Sequence, residues 1–164
     1  MRLLLQRVKA AAVHVDGAPV ASIGTGLLVL VGFGAEDAAD LPRQPVWNAM
    51  LRKMLSLRIF PDAQGKMNRT LEEYSDGTPS DVSSHRLLLV PQFTLYADCG
   101  RGRRPSFQNA APPARASVLF AQCARFCETA LPHATCTGIF GADMDVSLTN
   151  WGPVTILLDS RDFL

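Results

Sequence analysis

The stretch Ala11-Ala12-Val13-His14-Val15-Asp16-Gly17 indicates the class of fold. It is a short apolar run that ends in Asp-Gly, a strong signal for a tight β-hairpin. Apolar runs at 20–23 and 27–31 follow, with Gly24-Thr25-Gly26 between them, and Leu3-Leu4-Leu5 precedes. Short apolar runs separated by turn residues predict a meander of strands over the first third of the chain.

The apolar spacing becomes helical after residue 40. Asp40 is a candidate cap and Pro42 lies near the expected first turn. The apolar residues at helical spacing are Trp47, Met50, Leu51, Met54 and Leu55. These residues predict the first of two principal helices.

A second helix is predicted from about 113 to 130, where Pro112-Pro113 marks its start. Its apolar stripe consists of Leu119, Cys123, Phe126, Cys127 and Ala130. Strands are expected again at about 135–139, 145–150 and 154–159. The sequence therefore predicts one α+β domain over residues 1–164, with a polar loop insertion at about 74–84.

Composition excludes several classes of protein. Hydrophobic residues make up 48% of the chain and charged residues 19%, which are globular values. No apolar stretch reaches the roughly 18 residues needed to cross a bilayer, and the first residues lack the apolar core of a signal peptide. We therefore expect a cytoplasmic protein without a membrane association.

The four cysteines favour neither a metal site nor disulfide bonds. They lack the paired C-x-x-C spacing of a zinc site and the density of a secreted disulfide framework. Cys123 and Cys127 lie four apart, so on a helix they share a face and are expected in the core. No metal and no cofactor are predicted.

Local charge is more informative than net charge, which is +1. Arg101, Arg103 and Arg104 crowd one loop. Such a cluster can hold phosphate groups, although charge alone favours an ordinary solvated loop.

The segment Asn150-Trp151-Gly152-Pro153-Val154-Thr155 lies between two apolar runs. Gly-Pro is usually only a turn. It also places rigid backbone without an N–H donor at a strand end, where carbonyl groups can face a ligand. Both interpretations are open from the pair alone.

Several ordered motifs together resemble the D-aminoacyl-tRNA deacylase family. They are Met1-Arg2, Gln6-Arg7-Val8, Arg58-Ile59-Phe60, Gly65-Lys66-Met67-Asn68, Pro91-Gln92-Phe93-Thr94-Leu95-Tyr96-Ala97, Arg103-Arg104-Pro105-Ser106-Phe107, Gly141-Ala142-Asp143-Met144 and Asn150 to Thr155. The likeness spans nearly the whole chain. It implies a curved, barrel-like pair of sheets with two helices outside, and a homodimer whose substrate is aminoacyl-tRNA rather than DNA.

The resemblance also implies hydrolysis without a side-chain nucleophile. His14, His85 and His133 all lie outside the motif segments, and Thr94 has no base near it in sequence. The family is thought to use the 2′-hydroxyl of the substrate to hold the attacking water. On that view Gln92, Phe93 and Thr94 line the catalytic pocket, and backbone N–H groups there stabilise the oxyanion.

Chiral selection is the role that the resemblance gives to Gly152 and Pro153. In the family this pair is cis, and its carbonyl groups enter the active site of the other subunit, where they exclude an L side chain but not a D side chain or glycine. Arg7 is expected to support the pair, and Asn150, Phe140 and Met144 to form the pocket. The residues alone favour a position in the core for Phe140 and Met144. The arginine cluster is expected to bind tRNA.

Two residues depart from the common family pattern. Pro91 and Thr149 resemble an animal paralogue that carries a trans Gly-Pro and removes L-alanine from mischarged tRNA. Arg7 and Phe93 follow the common form. The alternatives are therefore an L-alanyl-tRNA deacylase, a non-catalytic tRNA-binding dimer, and a Thr- or Cys-dependent hydrolase of small esters.

Overall fold

A computed structural model gives the fold and describes residues 1–74 and 86–163. The predicted insertion at 74–84, apart from Tyr74, lies outside the described residues, as does His85. The strands are β1 (Arg2–Val15), β2 (Ala18–Ile23), β3 (Gly26–Gly32), β4 (Phe60–Pro61), β5 (Met67–Arg69), β6 (Leu87–Pro91), β7 (Thr135–Thr137) and β8 (Asp145–Asp159). The helices are α1 (Pro45–Ser56) and α2 (Pro113–Ala130).

The long strand β1 organises the main sheet. Its residues 2–8 pair antiparallel with β3 and its residues 11–15 with β2, while β8 pairs along its other edge. Leu3, Leu5 and Val13 are fully buried in a near-alternating pattern typical of a half-exposed strand. The predicted runs at 3–5 and 11–15 are thus two ends of one strand.

Parallel pairing completes the main sheet, in the order β2-β1-β3-β6-β7 with β8 on β1. β3 and β6 are almost continuously buried, as expected for parallel strands covered on both faces. The Cys136 thiol of β7 lies 3.9 Å from the Ser22 carbonyl oxygen of β2, so the sheet curves almost into a barrel. A small second sheet pairs β4 with β5. The predicted barrel-like α+β domain is confirmed.

The first helix begins later than predicted. Residues Leu41–Arg43 form a 3-10 turn, and α1 starts at Pro45. Gln44 is extended, with φ −81° and ψ 146°, because the residue before a proline is disfavoured in helical conformation. Asp40 therefore lies before the short turn and does not cap α1.

The second helix has the predicted bounds. Leu119, Cys123 and Cys127 are buried against the main core, whereas Ala130 is exposed at the last turn. Both cysteines are free, and the predicted core position of the pair is confirmed. A hydrogen bond with Cys127, together with burial, raises the pKa of the Cys123 thiol well above its ordinary value, so this thiol stays protonated. No helix in the described ranges is long and apolar enough to cross a membrane.

Candidate functional site

The Gln92-Phe93-Thr94 segment forms a tight turn where β6 ends. Phe93–Tyr96 is a 3-10 helix, so Thr94 does not lie in a strand as its residue type suggested. The Gln92 N–H donates to the Val31 carbonyl at 2.8 Å, which fixes the start of the turn to β3. The Gln92 side-chain amide donates to the Thr94 hydroxyl at 2.5 Å. The hydroxyl is thus held by an amide and not by a base.

The start of this turn presents backbone donors beside an exposed ring. The first N–H groups of a helix have no acceptor within it, which applies here to Phe93 and Thr94. Phe93 is 53% exposed and packs edge-on against Phe107, with ring centroids 4.9 Å apart. Donors at this position are suited to a developing oxyanion, and the ring to a flat substrate group.

Residues 151–154 bulge from the ladder between β1 and β8. Val8 pairs with Asn150 and Gln6 pairs with Thr155, so four residues of β8 stand opposite Arg7 alone. The Asn150 side chain closes the base of the bulge. It accepts from the Val154 N–H at 3.0 Å and donates to the Thr155 hydroxyl at 2.9 Å.

Arg7 supports the bulge from the strand side. It is only 7% exposed, donates to the Trp151 carbonyl at 3.0 Å, and also donates to the Ile59 carbonyl. Its guanidinium carbon lies 4.4 Å from the centre of the Trp151 ring. Burial lowers the pKa of the Arg7 guanidinium, which nevertheless stays charged because its ordinary pKa is so high. The hydrogen bond of Arg7 goes to Trp151, one residue before the pair that Arg7 was expected to hold.

Gly152 has no room for a side chain. Its φ is +131°, and a Cβ atom would lie 2.9 Å from Arg7 Nη2 and 2.9 Å from Val154 Cγ2. The Gly152–Pro153 peptide bond is cis, as expected from the resemblance. Both residues are exposed. The bulge thus presents bare main chain on a rigid support.

The turn and the bulge lie far apart in one chain. Pro91 is level with Val31 and Leu3, whereas the bulge is level with Arg7, four residues or about 13 Å further along β1. Three strand spacings, about 14 Å, also separate β6 from β8 across the sheet. One chain therefore does not bring Gln92–Thr94 and Gly152–Pro153 into a common pocket.

The other predicted pocket residues have different surroundings. Met144 approaches the end of β6, because a Cβ atom on Gly138 would lie 2.8 Å from its sulfur and 3.7 Å from Pro91 Cδ. Phe140 is half-buried and packs near Phe120 of α2, with ring centroids 6.4 Å apart. Met144 is therefore the nearer of the two to the turn, and Phe140 packs against the core.

The three arginines project from a hairpin loop next to the turn. Backbone hydrogen bonds of 2.8 Å in both directions join Asp98 and Ser106 at its base. Arg101, Arg103 and Arg104 are exposed, and in the described part of the chain none of them forms an ion pair. The loop is joined to the turn through the contact of Phe107 with Phe93.

Within residues 1–74 and 86–163, no group of three or more His, Cys, Asp or Glu side chains is placed to hold a metal ion. His14 lies in β1, and His133 follows α2 with φ +61°. A cavity of about 840 Å³ lies between α1 and α2, and neither the turn nor the bulge lines it.

The contacts of Trp151 with two cations are not predictable from the sequence. Lys9 Nζ lies 3.8 Å from its ring centre, so two cations contact this indole. The Trp beside Gly-Pro is visible in the sequence. Its cationic neighbours become apparent only from the register of β1 on β8.

Comparison with known proteins identifies the family. The family model described as D-Tyr-tRNA(Tyr) deacylase matches residues 4–159. The chain belongs to the D-Tyr-tRNA(Tyr) deacylase family. A D-aminoacyl-tRNA deacylase of Solidesulfovibrio magneticus is 56% identical over 162 residues, which cover 99% of this chain and 97% of that protein. The resemblance seen in the motifs is confirmed, and so is the prediction of a hydrolase that acts on the ester bond of aminoacyl-tRNA.

Solved structures agree with this fold. The structure described as c-Myc DNA Unwinding Element Binding Protein superposes with a TM-score of 0.81 at 32% identity, covering 97% of this chain and 98% of the other. A probable eukaryotic D-amino acid tRNA deacylase gives a TM-score of 0.72 at 16% identity, covering 96% and 97%. The second likeness concerns the fold alone.

Proposed function

We propose that this deacylase removes D-amino acids from tRNA in the cytoplasm, and glycine from non-cognate tRNA, as a chiral proofreading enzyme. The observation that carries the proposal is the exposed main chain of Gly152 and Pro153 on a support made by Arg7 and Asn150. Family membership supplies the tRNA ester.

Main chain at this position selects chirality by exclusion. A pocket lined by side chains often accommodates a group that is too large, because those side chains rotate aside. Main chain that is held in place cannot rotate aside. An L side chain directed at Gly152 and Pro153 collides with it, whereas a D side chain points away and glycine has none. Selectivity of this kind depends little on which D-amino acid is attached.

The active enzyme is a homodimer in which each bulge completes the other subunit's site. The separation of the bulge from the turn within one chain supports this arrangement. Among the described strands, β8 pairs with β1 alone, which leaves its second edge for a partner. Leu148 and Leu157 on β8 are 37% and 54% exposed, as expected for residues that a partner covers.

The reaction requires a positioned water and donors for the oxyanion. Water held by the terminal ribose 2′-hydroxyl attacks the ester carbonyl carbon, and the N–H groups at Phe93 and Thr94 receive the developing charge. The ester C–O bond to the ribose then breaks, and the ribose oxygen takes the proton that the water gave up. Gln92 orders this wall through its contact with Thr94.

The arginine loop holds the tRNA. Arg101, Arg103 and Arg104 are exposed beside the turn, where they meet the phosphates of the acceptor end. The proposed ligand of the loop is tRNA and not DNA.

Ester loss from four charged tRNAs tests the function: D-tyrosyl-, L-tyrosyl-, glycyl- and L-alanyl-tRNA. D-tyrosyl-tRNA should be hydrolysed at least about a hundredfold faster than L-tyrosyl-tRNA, which corresponds to about 2.7 kcal/mol of discrimination. Glycyl-tRNA should also be cleaved. Equal rates on the D and L esters would contradict chiral selection.

A second candidate is removal of L-alanine, which Pro91 and Thr149 favour by their likeness to the paralogue. Rapid loss of L-alanyl ester with slow loss of D-tyrosyl ester would establish that activity. Tight tRNA binding without loss of any ester would instead establish a non-catalytic tRNA-binding dimer.

A further inference from the structure

Arg2, the second residue of the chain, contacts the second half of the turn. Its Nη1 donates to the Leu95 carbonyl at 2.7 Å, and its guanidinium carbon lies 4.5 Å from the centre of the Tyr96 ring. Leu95 and Tyr96 directly follow Thr94. One planar group thus holds both the main chain and a ring of this turn.

Arg2 is itself held by Asp159, at the end of β8. Its carboxylate accepts from Arg2 Nε at 2.9 Å, and its side chain is 10% exposed. Arg161 binds the same carboxylate from the solvent side and is itself 72% exposed. Hydrogen bonds from Arg161 and Arg2 keep the pKa of Asp159 well below its usual range, so the group that orients Arg2 stays ionised.

The turn does not belong to the hydrophobic core. None of the residues Phe93–Tyr96 is fully buried. The turn rests directly on the main chain at and just after the end of β3. A Cβ atom on Gly34 would lie 2.5 Å from Tyr96 Cε1, and one on Gly32 would lie 2.8 Å from the Gln92 carbonyl oxygen. Its position therefore depends on close backbone contact from one side and on Arg2 from another.

We propose that Arg2 is a positioning residue for the deacylation reaction, oriented by Asp159, and that it fixes the turn whose N–H groups at Phe93 and Thr94 face the oxyanion. The catalytic part of this inference rests on the proposed function. Displacement of donors by about 1 Å lowers turnover far more than it lowers affinity when most of the binding contacts lie elsewhere. Here those contacts are assigned to the arginine loop.

Steady-state kinetics on D-tyrosyl-tRNA tests the proposal with Arg2→Ala and the control Arg161→Ala. Arg2→Ala should lower kcat by about tenfold or more and leave KM within about twofold. Arg161 contacts the same carboxylate without touching the turn, and exposed ion pairs contribute little, so Arg161→Ala should stay within about twofold of wild type. Equal losses in the two variants would assign Arg2 a merely structural role and overturn the proposal.

Arg2→Lys and Asp159→Ala separate the geometry of Arg2 from its charge. Lysine carries its donors on a single nitrogen, so it cannot bind Asp159 and the Leu95 carbonyl in the planar geometry of arginine. The kcat of Arg2→Lys should therefore fall between those of wild type and Arg2→Ala. Asp159→Ala releases Arg2 without removing it, because no side-chain acceptor remains for Arg2 Nε, and should resemble Arg2→Ala. This variant also decides the matter if Arg2→Ala does not fold, and wild-type kcat in Asp159→Ala would then overturn the proposal.

Hydrogen exchange of the Leu95 and Ala97 amides makes the test independent of activity when it is measured without tRNA. These two amides donate to the Gln92 and Thr94 carbonyls within the turn. Exchange should accelerate by about tenfold or more in Arg2→Ala and remain near wild type in Arg161→Ala. If wild-type protein leaves D-tyrosyl-tRNA intact but exchange still accelerates, the proposed function fails and the positioning role stands. Unchanged exchange together with unchanged kcat would overturn the positioning role.

Discussion

At the scale of single residues, the amide of Asn150 determines the shape of the bulge. Its oxygen accepts from Val154 and its nitrogen donates to Thr155, so one side chain uses both ends on the residues that close the excursion. An aspartate would lose the donor, and a leucine would lose both. The residue type is therefore set by hydrogen-bond chemistry rather than by size.

Gly152→Ala should destabilise the protein by about 1–3 kcal/mol, because an L side chain is strained at φ +131° and meets Arg7 and Val154. Chemical denaturation measures the change. Gly24→Ala is the matched control, since a Cβ atom there meets nothing within 4 Å, and it should stay within about 0.5 kcal/mol of wild type. Equal stability of the two variants would show that the bulge relaxes to accommodate the added methyl group.

Thr94→Ala should retain deacylation within about tenfold of wild type, since the hydroxyl is bound to the Gln92 amide and no base contacts it in the described residues. Removal of a true nucleophile costs about a millionfold in other hydrolases. Single-turnover loss of D-tyrosyl ester distinguishes these outcomes. Abolished turnover in folded Thr94→Ala, with activity kept in Thr94→Ser, would restore a nucleophile mechanism.

At the scale of elements, strand content was easier to predict than strand continuity. Gln6, Arg7 and Lys9 interrupt the apolar pattern of β1, and so the sequence predicted two separate runs. Arg7 is tolerated inside the strand because the carbonyl groups of Trp151 and Ile59 accept hydrogen bonds from its guanidinium. Those carbonyls lie 144 and 52 residues away along the chain, so no local pattern contains them.

The turn at Phe93–Tyr96 illustrates the same limit. Its residue types, Phe-Thr-Leu-Tyr, favour a strand and so predict that Thr94 lies in one. Close contact with Gly32 and the hydrogen bond from Arg2 stabilise the 3-10 conformation instead. The candidate site residues are predicted from the motif resemblance, while the distances between them depend on strand register.

The arginine loop yields a prediction of its own. Arg103→Ala combined with Arg104→Ala should weaken binding of all tRNA species and reduce the slope of log K against log salt by about one unit for each phosphate that is no longer neutralised. Arg52→Ala combined with Arg125→Ala removes the same charge from the groove between α1 and α2 and is the control. Filter binding over a range of salt concentrations measures the slope for both double variants. Equal slopes would show that the arginine loop is exposed to solvent and does not contact phosphates.

At the scale of the whole molecule, β8 is the surface on which dimerisation is expected. Leu157→Asp should shift the protein toward monomer and reduce deacylation in parallel, because charge on an interface core is strongly disfavoured. Val118→Asp on α2 is the matched control, since Leu157 and Val118 are both 54% exposed. Light scattering after gel filtration gives the mass. A Leu157→Asp monomer with full activity would contradict the shared site.

β1 carries both of the arginines that hold the proposed site. Arg2 supports the turn and Arg7 supports the bulge, and five residues of one extended strand, about 17 Å, separate them. The length of the strand therefore sets the distance between the turn and the bulge. Inserting or deleting one residue between Arg2 and Arg7 would change this length and move one arginine to the opposite face of the sheet. Natural length variation in this family should consequently be absent from that interval.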